Sequence, residues 1–301
     1  MWLDLQIFGF RALWSPYFLT SLFIVAILYY LITVTYRHKF GSVDKPTKKQ
    51  FSFFYLGLVL LYIVKGAPID LLSHIMLSAH MAQMAILYMI IPVLFIKGLP
   101  VWLIESFINK KGIKPIIHFF THPIIALGLF NSLFAIYHLP AIFDFSKSSQ
   151  VAHVFITTLL FILALFMWWP IVTPIERYNK LNPLLKIIYL VISIFIISIA
   201  CALIIFANVP LFDAYSSEGA WIQSLSLCVP PDVLSGLSGT LSGAEMFSPL
   251  DTIEDQQLGG ILMMTLQQII YGYAIARIFF GWFSKKNMGI DPLPTVEHRK
   301  N

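Results

Sequence analysis

Residues 67–100 read APIDLLSHIMLSAHMAQMAILYMIIPVLFIKGLP. The stretch is apolar over the roughly 20 residues that a membrane-crossing helix needs, yet its first half carries His74, His80, Met76, Met81 and Met84. Histidine is costly in lipid and thioethers are chemically soft, so that half reads as chemistry and the other as anchor. At about 100° per residue, His80, Met81 and Met84 share an arc of about 100°, and Met76 extends that side by one turn. His74 lies about 120° round from His80, at the helix entry, and Asp70 one turn further out. From Met89 to Pro100 no ligand-type side chain follows the same face.

The rest of the chain makes a membrane reading compulsory. It is 58% hydrophobic and 12% charged, with a mean hydropathy of +0.80, whereas soluble domains are about 25% charged. The +5 net charge does not point to nucleic acid, because its lysines and arginines form short clusters between apolar runs rather than a patch interleaved with aromatics. Seven apolar runs of spanning length are expected, near 15–36, 51–66, 75–96, 122–141, 151–170, 187–207 and 258–283, with Gly66 and Pro68 stopping the second. Basic residues concentrate in alternate connections: Arg37, Lys39, Lys45, Lys48 and Lys49, then Lys97, Lys110, Lys111 and Lys114, then Arg177, Lys180 and Lys186, then Lys285, Lys286, Arg299 and Lys300. The positive-inside rule then predicts an all-α, seven-span bundle in the cell membrane, with its N-terminus outside and its C-terminus in the cytoplasm. We expect one polytopic domain over 1–301 and no cleaved leader, since the first residues lack a basic n-region and a small-residue cleavage site.

One connection is long. Residues 208–257 contain Asp213, Glu218, Asp232, Glu245, Asp251, Glu254 and Asp255 and no Lys or Arg. Such a loop could attract cations or a basic partner. It could equally be a solvated segment, as GLSGTLSG (236–243) suggests for its middle. Cys201 sits in an apolar run and Cys228 in this loop, so a bridge between them is not expected.

Imidazole together with thioether suits Cu(I), can serve Cu(II) through nitrogen, and suits Mg²⁺ or Ca²⁺ poorly. On a single helix the alternative is ordinary, methionine filling gaps and His80 bonded within the bundle. The wider pattern favours a site. His138 closes the fourth run at YHLP (137–140), His153 opens the fifth, and Met263 and Met264 begin the seventh on the same side. Four histidines, His74, His80, His138 and His153, are thus expected at one level, with a capping network as the alternative. His118 and His122 fall on the opposite side; Pro123 separates them from a shared helical face, and they read as interface caps. No Gly-rich phosphate loop, nucleophile elbow, intramembrane carboxylate pair or Schiff-base lysine is present, which favours binding over catalysis.

These motifs, AHMAQM with IIPVLFIKGLP (79–100), HPIIA (122–126), YHLP (137–140), His153 leading to FMWWP (166–170), and DQQLGG (255–260), resemble the CtaG family of membrane proteins required for assembly of caa3-type cytochrome c oxidase. The resemblance implies a non-enzymatic maturation factor acting at a copper centre. Its partners would be oxidase subunits and an extracytoplasmic copper donor. The family's histidine positions fall on His80, His122, His138 and His153, and its acidic turn on Asp255. Many members carry a further histidine where this chain has Met84, a change that shifts the ligand set towards Cu(I). The candidate copper ligands are therefore His80, Met84, His138, His153, His74 and Met81. A b-type haem or quinol-linked redox protein and a copper permease remain the alternative functions.

Overall fold

A computed structural model describes residues 2–41, 44–237, 241 and 243–287. Among these the regular elements are helices. Arg299 and Lys300, and part of GLSGTLSG, lie outside the described residues. Five helices are long and apolar enough to cross a membrane: Gln6–Thr35, Leu77–Gly98, Gln150–Val172, Pro183–Ile205 and Thr252–Ser284. Two bent pairs qualify jointly, Lys48–Lys65 with Pro68–Ile75 (42°) and Ile113–Phe120 with Pro123–Tyr137 (71°). The expected runs are all present as helix, and the count is five, or seven if each bent pair crosses once.

Local chemistry explains where the helices begin. Thr47 and Gln50 form a reciprocal capping box at the start of Lys48–Lys65, and Asn182 and Ser149 cap the helices that follow them. Pro16, Pro68, Pro123, Pro140 and Pro183 occupy first-turn positions, where a missing N–H costs nothing. Pro92 does more. It removes the donor that would meet the Tyr88 carbonyl, and a wider π turn runs through Ile86–Ile90. The freed Tyr88 carbonyl accepts the Trp168 indole N–H at 3.2 Å.

The quoted stretch is the axis of the bundle. Leu77–Gly98 has 67% of its most apolar window buried, against 17–33% for the other four spans, and Thr252–Asn287, Gln150–Val172 and Lys48–Lys65 pack against it. Close approach needs small residues. A Cβ on Gly98 would lie 2.7 Å from the Phe54 backbone nitrogen, and one on Gly259 would lie 3.2 Å from the Leu77 carbonyl carbon. Outward faces remain apolar, as lipid requires, with Phe195, Leu203 and Phe280 about two-thirds exposed.

The 208–257 connection is more folded than a solvated loop. It contains the helices Asp213–Ser216, Glu218–Leu225 and Pro231–Leu237. Trp221, Leu225, Val229 and Phe247 form a second apolar cluster with Leu5, Phe8, Leu71 and Ile75. The connection therefore lids the bundle end at which Pro68–Ile75 lies. Cys201 and Cys228 are both free thiols.

Candidate functional site

The site is built where Leu77–Gly98 begins. After Gly66, Pro68 starts the short helix Pro68–Ile75, which carries His74 in its last turn. Met76 is then extended (φ −135°, ψ 144°), and the helix restarts at Leu77. The expectation of one continuous helical face through Met76 is thus corrected: Met76 is the joint and packs towards the second cluster. A restarted helix exposes unpaired N–H groups. Asp255, in the first turn of Thr252–Asn287, satisfies them by accepting from Leu77 N at 2.6 Å, from Ser78 N at 3.4 Å and from the Ser78 hydroxyl. Asp255 is 6% exposed, so it is a buried brace and no part of an acidic surface.

His80 follows on the first turns of that helix, 1% exposed, with neither ring nitrogen bonded among the described residues. His138 is the C-cap of Pro123–Tyr137. Its Nδ1–H donates to the Phe134 carbonyl at 2.7 Å, which leaves Nε2 as the lone-pair nitrogen, buried and without a partner. The two rings lie 6.3 Å apart, centre to centre. With their free nitrogens turned towards each other, that separation would take one ion in a near-linear arrangement at metal–nitrogen bonds of about 2 Å. Phe143 and Tyr137 pack against His80 at 5.1 and 6.0 Å and keep the pair dry. Met81 and Met84, at 1% and 0% exposure, are buried in the main core on the same helix as His80.

The other two histidines form a separate pair. His74 and His153 lie 5.4 Å apart; His153 Nδ1 is 3.5 Å from the Ser146 hydroxyl, and its Nε2 is unpartnered. Beside this pair lies Lys147, 1% exposed, from the helix Pro140–Ser148. Its Nζ is 3.2 Å from His74 Nδ1 and 3.3 Å from the Ser73 carbonyl, which also accepts from the Tyr215 hydroxyl. Burial, and secondarily the Lys65 ammonium, push the Lys147 amine down to about 7 from 10.5. A neutral amine can donate to the carbonyl and still share a proton with His74. Lys65 itself bonds Asp70 at 2.6 Å, and Gln83 donates to the same Asp70 oxygen at 2.8 Å. The lid is tied in through Asp144, which accepts from Asp213 N and Ala214 N at 3.2 and 3.0 Å.

All four histidines expected at one level do gather at one end of the bundle. His122 does not join them. It is exposed, at the opposite end of Pro123–Tyr137, and caps that helix through its backbone carbonyl, with no side-chain bond. His118 is also exposed, 6.4 Å from the Tyr178 ring. His122 is thus a cap residue as expected, through its backbone, whereas His118 lies within Ile113–Phe120 and caps neither end of it. Among the described residues no three His, Cys, Asp or Glu side chains are arranged to hold a metal ion. Any metal here would rest on two imidazoles with a thioether or another soft donor. Lys147 carries no sequence motif; its isolation in PAIFDFSKSS (140–149), amid mostly apolar and hydroxyl residues, is the one signal the sequence offers for it.

Fold and site together define a polytopic helical membrane protein with a dry imidazole cluster under a folded lid. The family model for cytochrome c oxidase caa3 assembly factors matches residues 10–285, and the chain belongs to that family. No curated protein and no solved structure matches the chain.

Proposed function

We propose that the chain matures caa3-type oxidase by holding Cu(I) as cargo between His80 and His138, with Met81 and Met84 as the thioether donors. The observation that carries this reading is His80, a buried imidazole whose two nitrogens have no partner among the described residues. Leaving such groups unsatisfied costs on the order of 1–3 kcal/mol each, a cost that a soft cation would offset. His153 and His74 form the neighbouring pair through which the ion enters or leaves. Two nitrogens with sulfur favour the reduced ion over Cu(II). The role is binding and hand-over, without catalysis.

The basic connections set the frame: both bent pairs cross, giving seven spans, with the N-terminus and the histidine end outside and the C-terminus in the cytoplasm of a cell membrane. The lid, with Glu218, Asp232, Glu245 and Asp251 and no basic residue, is the surface for an oxidase subunit or a copper donor. A haem reading is less favourable, since Phe143 and Tyr137 occupy the flanks of His80 where a porphyrin would lie.

The test is copper content of the full chain purified under reducing conditions, beside a His80→Ala, His138→Ala double variant. One copper per chain, lost in the double variant, is the expected result. Metal-free native protein that still co-purifies with oxidase subunits would overturn the copper site and leave an assembly role; a Soret band would replace it with haem.

A further inference from the structure

At the bundle end away from the histidines, the helices around Gly98 leave an apolar groove of about 520 Å³. Ligand sites typically measure about 300–1,000 Å³. Phe54, Phe95 and Leu165 line it, together with Phe107 and Ile117 from the two short helices Val101–Ile108 and Ile113–Phe120. Thr121 also lines it, but its hydroxyl is spent on the Ile117 carbonyl at 2.6 Å. Within a bilayer such a space is filled by something apolar.

Two further features say what fills it. The turn between the short helices carries Lys110 and Lys111, and the first turn of Ile113–Phe120 carries Lys114, all exposed and none paired with a carboxylate among the described residues. The nearby Glu105 is committed to Arg177 at 3.5 Å. Lys110 Nζ stands 5.8 Å above the ring of Phe107, itself a groove residue, so the positive charge borders the apolar space. Trp169 lines the groove at 8% exposure, and its indole N–H has no acceptor among the described residues. An apolar chamber with an unsatisfied donor and a cationic rim complements an amphiphile with an anionic oxygen-rich head. A partner helix would fill the chamber but leave three ammonium groups unanswered.

We propose that this groove is a binding site for one anionic phospholipid, an acyl chain lying over Phe95 and Leu165 and the phosphate held by Lys110, Lys111 and Lys114. Basic pockets between helices at the cytoplasmic face are suited to such head groups. The site is separate from the histidine cluster and does not depend on copper.

The experiment is native mass spectrometry of the full chain released from nanodiscs of equimolar phosphatidylglycerol and phosphatidylcholine with identical acyl chains. The native chain is expected to retain one phosphatidylglycerol at about tenfold or greater preference, the scale set by a few surface lysines. Lys110→Gln, Lys111→Gln, Lys114→Gln should bring that ratio close to one while lipid is still retained. Leu165→Trp and, on another helix, Leu103→Trp should each reduce retention of both lipids by filling the groove; circular dichroism and gel filtration identify whichever of them folds. Equal retention of the two lipids by the native chain overturns the proposal. So does a preference unchanged in the lysine variant or in a folded groove-filling variant, or a polypeptide retained in place of lipid.

Discussion

His80 is buried with both nitrogens unbonded, so its removal should separate a structural role from a ligand role. A merely structural imidazole would be bonded, and replacing it would destabilise. Here His80→Leu in metal-free protein should leave stability unchanged or raise it by about 1 kcal/mol, because an unsatisfied polar group is lost. The native chain should gain about 2.7 kcal/mol with free Cu(I) at a hundred times its Kd, and the variant little or nothing. Thermal unfolding with and without Cu(I) measures both; equal stabilisation of the two proteins would remove His80 from the ligand set. Lys147 makes a second prediction. Its amine lies near 7 in the fold and at 10.5 when free, so between those values the unfolded chain holds the extra proton and stability rises with pH. Below about 7 both states are protonated and the slope vanishes. Lys147→Met should flatten the rise, read as melting temperature from pH 7 to pH 9; a rise that persists in the variant would assign it elsewhere. The spacing of His80 with Met81 and Met84 singles it out in the sequence, and the fold buries all three. Lys147 was not legible there, because a lysine between two spans looks like any loop charge until Phe143 and Tyr215 are found packed beside it at 5.7 and 5.6 Å.

The spans were legible as elements because lipid demands long apolar runs and internally bonded backbone, and each expected run contains a helix. The break at Met76 was not. Nothing in HIMLSAH (74–80) stops a helix, and the groups that make the restart affordable come from Asp255, far along the chain. A carboxylate that meets two backbone donors and a hydroxyl from a distant element leaves no local signature. Asp255→Ala should therefore destabilise by about 1–3 kcal/mol, through orphaned N–H groups at Leu77 and Ser78. Asp255→Asn, retaining one acceptor oxygen, should cost less. Denaturation in a mild detergent gives both values, and an alanine variant as stable as native would show that water or another acceptor serves the restart. Gly98→Ala should also be costly, by about 1–3 kcal/mol, since its Cβ would meet the Phe54 backbone at 2.7 Å.

At the scale of the molecule, the long acidic connection works as a lid rather than a free tether. Sequence reasoning could see its charge but not its burial, because its anchors Trp221, Leu225, Val229 and Phe247 find their apolar partners in the first residues and in Pro68–Ile75. Trp221 is the principal fastener. It is 1% exposed, and its indole N–H donates to the Ile75 carbonyl at 3.3 Å, next to the Met76 joint. Removing a buried tryptophan costs about 3–5 kcal/mol, and here the cost falls on the lid, since the spans have their own core around Leu77–Gly98. Trp221→Ala should leave the far-UV helix signal close to native while trypsin-independent cleavage, by an acid-specific protease, accelerates within 213–251. Because the Ile75 carbonyl borders the helix that carries His74, a loosened lid should also admit water to the histidine cluster and speed loss of Cu(I) to a chelator. Unchanged cleavage and unchanged copper release would mean that Asp144, through Asp213 and Ala214, closes the site without Trp221.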